Sequence, residues 1–286
     1  MNAVRVVTDS TAGLSPEFAA DYDVAIVPIT VTLGARSGLE GVDVSPADVL
    51  EALRAKVRIG TSQPTPSAFA EVYAGLAASS GDGAGESPCE IVSIHLSTEL
   101  SGTVAAAEQV GAEAGVLVHV VDSRLVSAGL GFAVEAAARA ARAGGSAAEV
   151  VAAANRAAAA TSVYFCVDDL EVLRAGGRIG PASAKIGTVF AVKPLLRIRD
   201  GVIEVEQLVR TTRKAMDRLA ELAAAVASPS RASVVHLGAP DRAAALAEQL
   251  RTSLGLESVP VCEASAAVAA HTGEGVVGVA VLRAAE

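Results

Sequence analysis

Tryptophan is absent from this chain of 286 residues, and phenylalanine and tyrosine bring the aromatic share to only 3%. A surface that stacks nucleobases needs such rings. The formal charge of −9, from 32 acidic against 23 basic residues, would also repel a phosphate backbone. Nucleic acid is therefore a poor partner. Three cysteines, Cys89, Cys166 and Cys262, are widely spaced and odd in number, so neither a disulfide framework nor a zinc cluster is expected. A reducing cytoplasm is the compartment this predicts, and the opening Met1 to Val7 lacks the pattern of a secretory signal. Hydrophobic residues make up 51%, yet no apolar run approaches the roughly 18–20 residues of a membrane span. The chain has no GxxxxGK[ST] loop, no GxGxxG at a strand–helix junction, no HExxH and no CxxC. Nucleotide and metal cradles are thus missing, and no cofactor is expected.

What the chain has instead is hydroxyls in loops. Gly60 to Ser67 holds four of them, with Gln63, Pro64 and Pro66, ahead of the helical pattern Ala68 to Tyr73. Hydroxyls and unpaired N–H groups at a helix start suit an anion, although an ordinary N-cap at Thr65 or Ser67 accounts for part of the pattern. Ser97-Thr98 after a strand and Ser101-Gly102-Thr103 at a helix start repeat the composition. His271 is expected in a glycine-flanked turn between two apolar runs, whereas His95, His119 and His236 fall within or at the ends of strand patterns.

Strand, polar loop and helix recur four or five times before residue 160, which predicts a parallel sheet covered by helices. Asp9-Ser10, Ser97-Thr98 and Asp122-Ser123 are expected along the edge where open α/β sheets bind ligands. Beyond Thr161 the pattern changes. Asp200-Gly201 between two apolar runs signals a hairpin, and a helix is expected after Gly180-Pro181. The reading is an α/β chain with two domains: residues 1–160, built on a parallel sheet, and residues 161–286, built on a mixed sheet. Ser79 to Pro88 reads as a surface loop without chemistry.

Several short motifs, in their order, carry a resemblance. Asp9-Ser10-Thr11, Thr61-Ser62-Gln63-Pro64, Leu100-Ser101-Gly102-Thr103, Asp122-Ser123, Gly177-Arg178-Ile179-Gly180 and His271-Thr272-Gly273 together resemble the DegV family over essentially the whole chain. Lys193-Pro194-Leu195 with Asp200-Gly201 fits the same pattern. Glu274 departs from it, standing where many members have proline.

The resemblance implies a two-domain α/β protein with a ligand tunnel between the domains and one long-chain fatty acid buried in it. It further implies that the carboxylate is presented to a separate ATP-dependent fatty acid kinase, whose acyl phosphate feeds phospholipid synthesis, with an acyltransferase or the membrane surface as transient contacts. Carried over, Thr61, Ser62, Ser97, Thr98 and His271 would bind the carboxylate, and Arg178 and Arg210 would face the kinase or its phosphate. No residue of the chain would then be catalytic. The alternative is a small-molecule hydrolase or transferase with Ser97 or Ser101 as nucleophile and His271 as base, but neither serine sits in a GxSxG elbow.

Overall fold

The computed structural model describes residues 4–79, 89–179 and 192–284. The chain starts as β1 (Val4–Asp9), makes one 3-10 turn at Ser10–Ala12, and continues through α1 (Pro16–Asp21) to β2 (Val24–Val27). An excursion follows, made of β3 (Thr30–Leu33), β4 (Arg36–Leu39), α2 (Pro46–Arg54) and β5 (Ile59–Ser62). The chain then alternates regularly: α3 (Pro66–Ser79), β6 (Glu90–His95), α4 (Thr103–Gly111), β7 (Leu117–Asp122), α5 (Ala128–Arg142) and α6 (Ala147–Ala160). The remainder comprises β8 (Thr161–Cys166), α7 (Leu170–Ala175), β9 (Lys193–Arg199), β10 (Val202–Val209), α8 (Thr212–Ala224) and β11 (Pro229–His236). It ends with α9 (Pro240–Leu254), β12 (Val261–Glu263), α10 (Ala266–Thr272) and β13 (Val277–Arg283).

Local chemistry accounts for the helix starts. Ser15 and Ser45 each cap a helix whose first residue is proline, and Ser45 with Asp48 closes a capping box. Ser146 with Glu149 does the same for α6, and Thr211 caps α8. The described part of the chain forms three sheets. Strands β2-β1-β6-β7 are all parallel, as the recurring strand–helix pattern predicts. A second sheet, ordered β10-β9-β8-β13-β11-β12, is antiparallel except where β11 meets β12. The predicted hairpin joins β9 to β10, with Asp200 and Gly201 both at positive φ, as a type I′ turn requires. The small third sheet is the excursion, β4-β3-β5.

Two expectations are corrected here. Thr61 and Ser62 lie on a strand, since Ile59–Ser62 pairs with β3 along its whole length; the loop begins only after Ser62. The hydroxyls concealed a β-branched Ile59/Thr61 alternation that fits an edge strand. His271 lies in the last turn of α10 rather than in an open turn, because Ser265 caps an alanine-rich run that Gly273 ends at φ 79°. The helix predicted after Gly180 and the loop Ser79 to Pro88 fall outside the described residues, apart from Ser79, which ends α3. Among the described residues no helix is long and apolar enough to cross a membrane, and no group of three or more His, Cys, Asp or Glu could hold a metal ion.

Packing links the excursion to the second sheet. Ile29, Val31, Val44 and Val49 share a core with Phe165, Leu173, Leu196, Ile203 and Ala266 to Ala270. A separate core joins β1, β6 and β7 to α5 and α6 and reaches Val163 and Ala280 of the second sheet. Between them sits Glu40, only 6% exposed. One of its carboxylate oxygens accepts the Ala267 N–H at 2.7 Å, in the first turn of α10, and the other accepts the Ser10 hydroxyl at the end of β1. Burial raises the Glu40 pKa above its ordinary value, against the lowering effect of these two hydrogen bonds. Glu40 thereby ties β1 and the excursion to α10. Replacing it (Glu40→Ala) leaves the Ala267 N–H without its acceptor and is expected to cost about 1–3 kcal/mol in urea unfolding. An unchanged unfolding midpoint and slope would contradict this role.

Candidate functional site

Two cavities meet between the sheets. The first spans about 600 Å³, counting space open to solvent, and is lined on its polar side by Thr61, Ser62, Gln63, Ser101, Arg178 and His271. Thr11, Leu96, Leu100, Leu173 and Ile203 supply further wall. The second, about 550 Å³, has an almost wholly apolar lining that includes Gly129, Val163, Phe165, Ile198, Gly278 and Ala280. Val126, Ile203, Val268 and Thr272 line both, so the polar chamber adjoins the apolar one. Outside, an open depression of about 1100 Å³ is lined by Arg58, Gly60 and Gly176, and again by Thr61, Arg178 and His271. These last three residues form a polar partition between the inner chamber and the surface.

Each member of the partition is placed by a different element. Thr61 projects from β5, and its Oγ1 lies 2.7 Å from Nε2 of His271 on α10. His271 Nδ1 is buried without a partner. An unpaired N–H costs more than an unpaired lone pair, which favours the tautomer that has its proton on Nε2 and donates to Thr61. The Thr61 hydroxyl proton is then free to be donated onward. The ring fits because residue 176 is glycine: a Cβ there would lie 2.4 Å from His271 Nδ1. Burial, and secondarily the Arg178 cation, lower the His271 pKa to about 4. At neutral pH the imidazole is therefore an uncharged donor. Arg178 follows α7 and is held by backbone carbonyls, with Nε donating to Leu100 at 3.1 Å and Nη1 to Gly176 at 2.6 Å. Among the described residues it has no carboxylate partner, so its charge is uncompensated beside the chamber. Ser101, at the entry to α4, shares a 2.8 Å hydrogen bond with Thr103 Oγ1. The arrangement offers one fixed cation and several neutral donors, with an apolar hollow behind them.

The remaining sequence-derived candidates are placed elsewhere. Ser97 is fully buried, but it donates to the Gly201 carbonyl at 2.8 Å and accepts the Glu99 N–H, and it lines neither cavity. Its orientation serves the contact between the first sheet and the tip of the β9–β10 hairpin. Thr98 is exposed and donates to Asp122 at 2.7 Å. Arg210 is exposed just beyond β10 and lines no part of the cavities or the depression. The pairing of Ser97 with His271 required by the hydrolase alternative is absent from this geometry. Ser101 does share the chamber with His271, but no carboxylate orients the imidazole, since Nδ1 has no partner. The sequence reading passed over Gln63 and Gly176 as site residues. Gln63 stood inside the hydroxyl-rich stretch from Gly60 to Ser67, and Gly176 directly precedes the Gly177-Arg178 motif.

A second polar system has triad connectivity without access. Asp9 Oδ2 is 3.0 Å from His95 Nδ1, and His95 Nε2 is 2.7 Å from Ser93 Oγ, which also accepts the Tyr73 hydroxyl at 2.9 Å. All four residues are fully buried, and burial pushes Tyr73 up to about 12. The other oxygen of Asp9 accepts the Thr11 N–H and hydroxyl, and Thr11 lines the polar chamber. The network thus braces the chamber wall from behind.

The state of His271 sets a pH signature. The ring titrates near 6.5 when unfolded and near 4 when folded. The stability gained by keeping it neutral is complete above 6.5 and is lost as pH falls toward 4. The wild-type chain is expected to lose up to about 3 kcal/mol relative to His271→Gln over that window. Urea unfolding of both proteins at stepped pH checks this, and a pH-independent difference between them would refute it.

The family model described as "Uncharacterised protein, DegV family" matches residues 3–284. A DegV domain-containing protein of Streptomyces coelicolor is 47% identical over 281 residues, which cover 97% of this chain and 98% of that protein. Among solved structures, a fatty-acid-binding DegV family protein from Thermus thermophilus is 31% identical with a TM-score of 0.90, covering 99% of this chain and 100% of its own. DegV of Bacillus subtilis, described as a fatty acid binding protein, is 28% identical with a TM-score of 0.87 at the same coverage.

Proposed function

The chain belongs to the DegV family, and on that premise we propose that it carries one long-chain fatty acid and presents the carboxylate to a separate ATP-dependent kinase. The observation that carries this reading is the adjacency of a cationic, donor-lined chamber and an apolar one, which share Val126, Ile203, Val268 and Thr272 as lining. Fatty-acid binding by the Thermus thermophilus and Bacillus subtilis relatives supports it. In this reading the carboxylate lies among Thr61, Ser62, Ser101 and His271, with Arg178 balancing its charge. The tail fills the second cavity. Ser101 replaces Ser97 and Thr98 in the set, and Arg210 leaves it.

Energetically the tail dominates. Each buried CH₂ contributes about 0.8 kcal/mol, so roughly sixteen carbons supply on the order of 10 kcal/mol. The head group adds orientation: neutral donors meet it without the cost of burying further charge. Thr61, Arg178 and His271 also face the outer depression, and from there a kinase acting in trans could reach the carboxylate. That division of labour explains a chain without a nucleotide motif, whose product, acyl phosphate, would serve phospholipid synthesis through an acyltransferase. We place the domain boundary at residues 160/161, where α6 ends and β8 begins the second sheet. The excursion then reaches across from residues 1–160 to pack on residues 161–286.

Native mass spectrometry of gently purified protein is expected to show an adduct of fatty-acid mass. Repeated absence of lipid, with no uptake of added fatty acid, would sink the reading. Thr61→Val is expected to weaken fatty-acid binding about tenfold, as loss of one hydrogen bond to a carboxylate implies. Arg178→Ala should do so at least as strongly and abolish acyl-phosphate formation with a cognate kinase. Unaltered acyl-phosphate yield in both variants would remove these residues from the head-group site.

A further inference from the structure

The apolar cavity spreads across β8, β9, β10, β11 and β13, and along β13 it stops. Val276, just before β13, and Gly278 and Ala280 within it recur at every second residue, so they share a face, and all three line the cavity. That span is about 13 Å at roughly 3.3 Å per residue. Leu282 is the next residue on the face. It lines no part of the cavity and packs instead into the core with Val163 and Ala280. Ala280 pairs with Val163 on the neighbouring β8. Above them α5 rests directly on the sheet: a Cβ at Gly129 would lie 2.7 Å from Val163 Cγ2. Val163, Ala280 and Gly129, none of which lines the His271 chamber, therefore close the cavity at this end of β13.

We propose that Val163 and Ala280 form the end wall that sets the longest acyl chain this protein accepts; the proposal rests on the fatty-acid reading above. A tail anchored by its carboxylate at the Thr61–His271 partition meets the wall with its terminal methyl. Protein interiors are packed at crystal density, so a methylene beyond the wall has no space without displacing core side chains. The wall is made of a small and a medium side chain, and both can be changed in volume without touching the head-group chamber. Enlarging Ala280 directs its added methyl groups into the hollow. Trimming Val163 extends the hollow toward Leu282.

The test uses the delipidated full-length chain, offered an equimolar series of straight-chain saturated fatty acids and read by native mass spectrometry. Ala280→Val is expected to shift the bound distribution toward chains about two carbons shorter, with an about tenfold fall in the ratio of the longest bound acid to the one two carbons below it. Val163→Ala is expected to shift it the other way. Identical distributions for wild type and both variants overturn the proposal while leaving fatty-acid binding in place. Failure of the wild-type chain to bind any member of the series overturns the ruler together with the reading beneath it. If Ala280→Val does not fold, the direction of the Val163→Ala shift decides the matter alone.

Discussion

The site depends on one buried carboxylate. Glu40 accepts from Ala267 at the start of the helix that carries His271 and from Ser10 at the end of the first strand. Without that acceptor, the Ala267 N–H in the first turn of a seven-residue helix would be left unpaired in a buried place. The histidine at its far end would lose its fixed relation to Thr61, which comes from the same excursion as Glu40. Burial opposes the ionised form, so the hydrogen bonds and the surrounding core hold the group against its own desolvation. Structural integrity and site geometry are thus maintained by the same contacts.

The chamber uses charge sparingly. Its imidazole is neutral because burial and a neighbouring guanidinium both oppose protonation. Among the described residues Arg178 is held by carbonyls rather than by a carboxylate, so its charge is available to an anion. An Arg–carboxylate pair in this position would have neutralised the site. Next door, the second cavity is almost devoid of polar surface. This steep polarity gradient over a short distance is what an amphiphile with a single charged end requires.

Much of this was legible in the sequence where local chemistry decides the outcome. The parallel sheet followed from the repeated strand–loop–helix order and the hairpin from Asp200-Gly201. Thr61, Ser62, Arg178 and His271 were named from the order of short motifs, and they line one chamber. Residues with the same chemistry and different tertiary neighbours could not be sorted this way. Ser97 and Ser101 are four residues apart in one loop; Ser97 turns to the hairpin and Ser101 to the chamber. Only the distant segment around Gly201 distinguishes them. Glu40 gave no signal, because its partners lie 30 and 227 positions away along the chain. Glu274 stood out as a departure from the family pattern; here it forms an ion pair with Arg54 on α2, which joins the excursion to the turn after α10.

The polar chamber is assembled from Thr11, Thr61, Ser101, Arg178 and His271, which lie far apart along the chain. Such non-local closure is entropically slow. No nascent fragment that lacks α10 can contain the chamber, however well its first sheet has folded. A ligand bound there therefore recognises only a chain in which α10 has been packed into place. Lipid occupancy, through mass action on the native state alone, would couple the lifetime of the protein in the cell to the supply of its cargo.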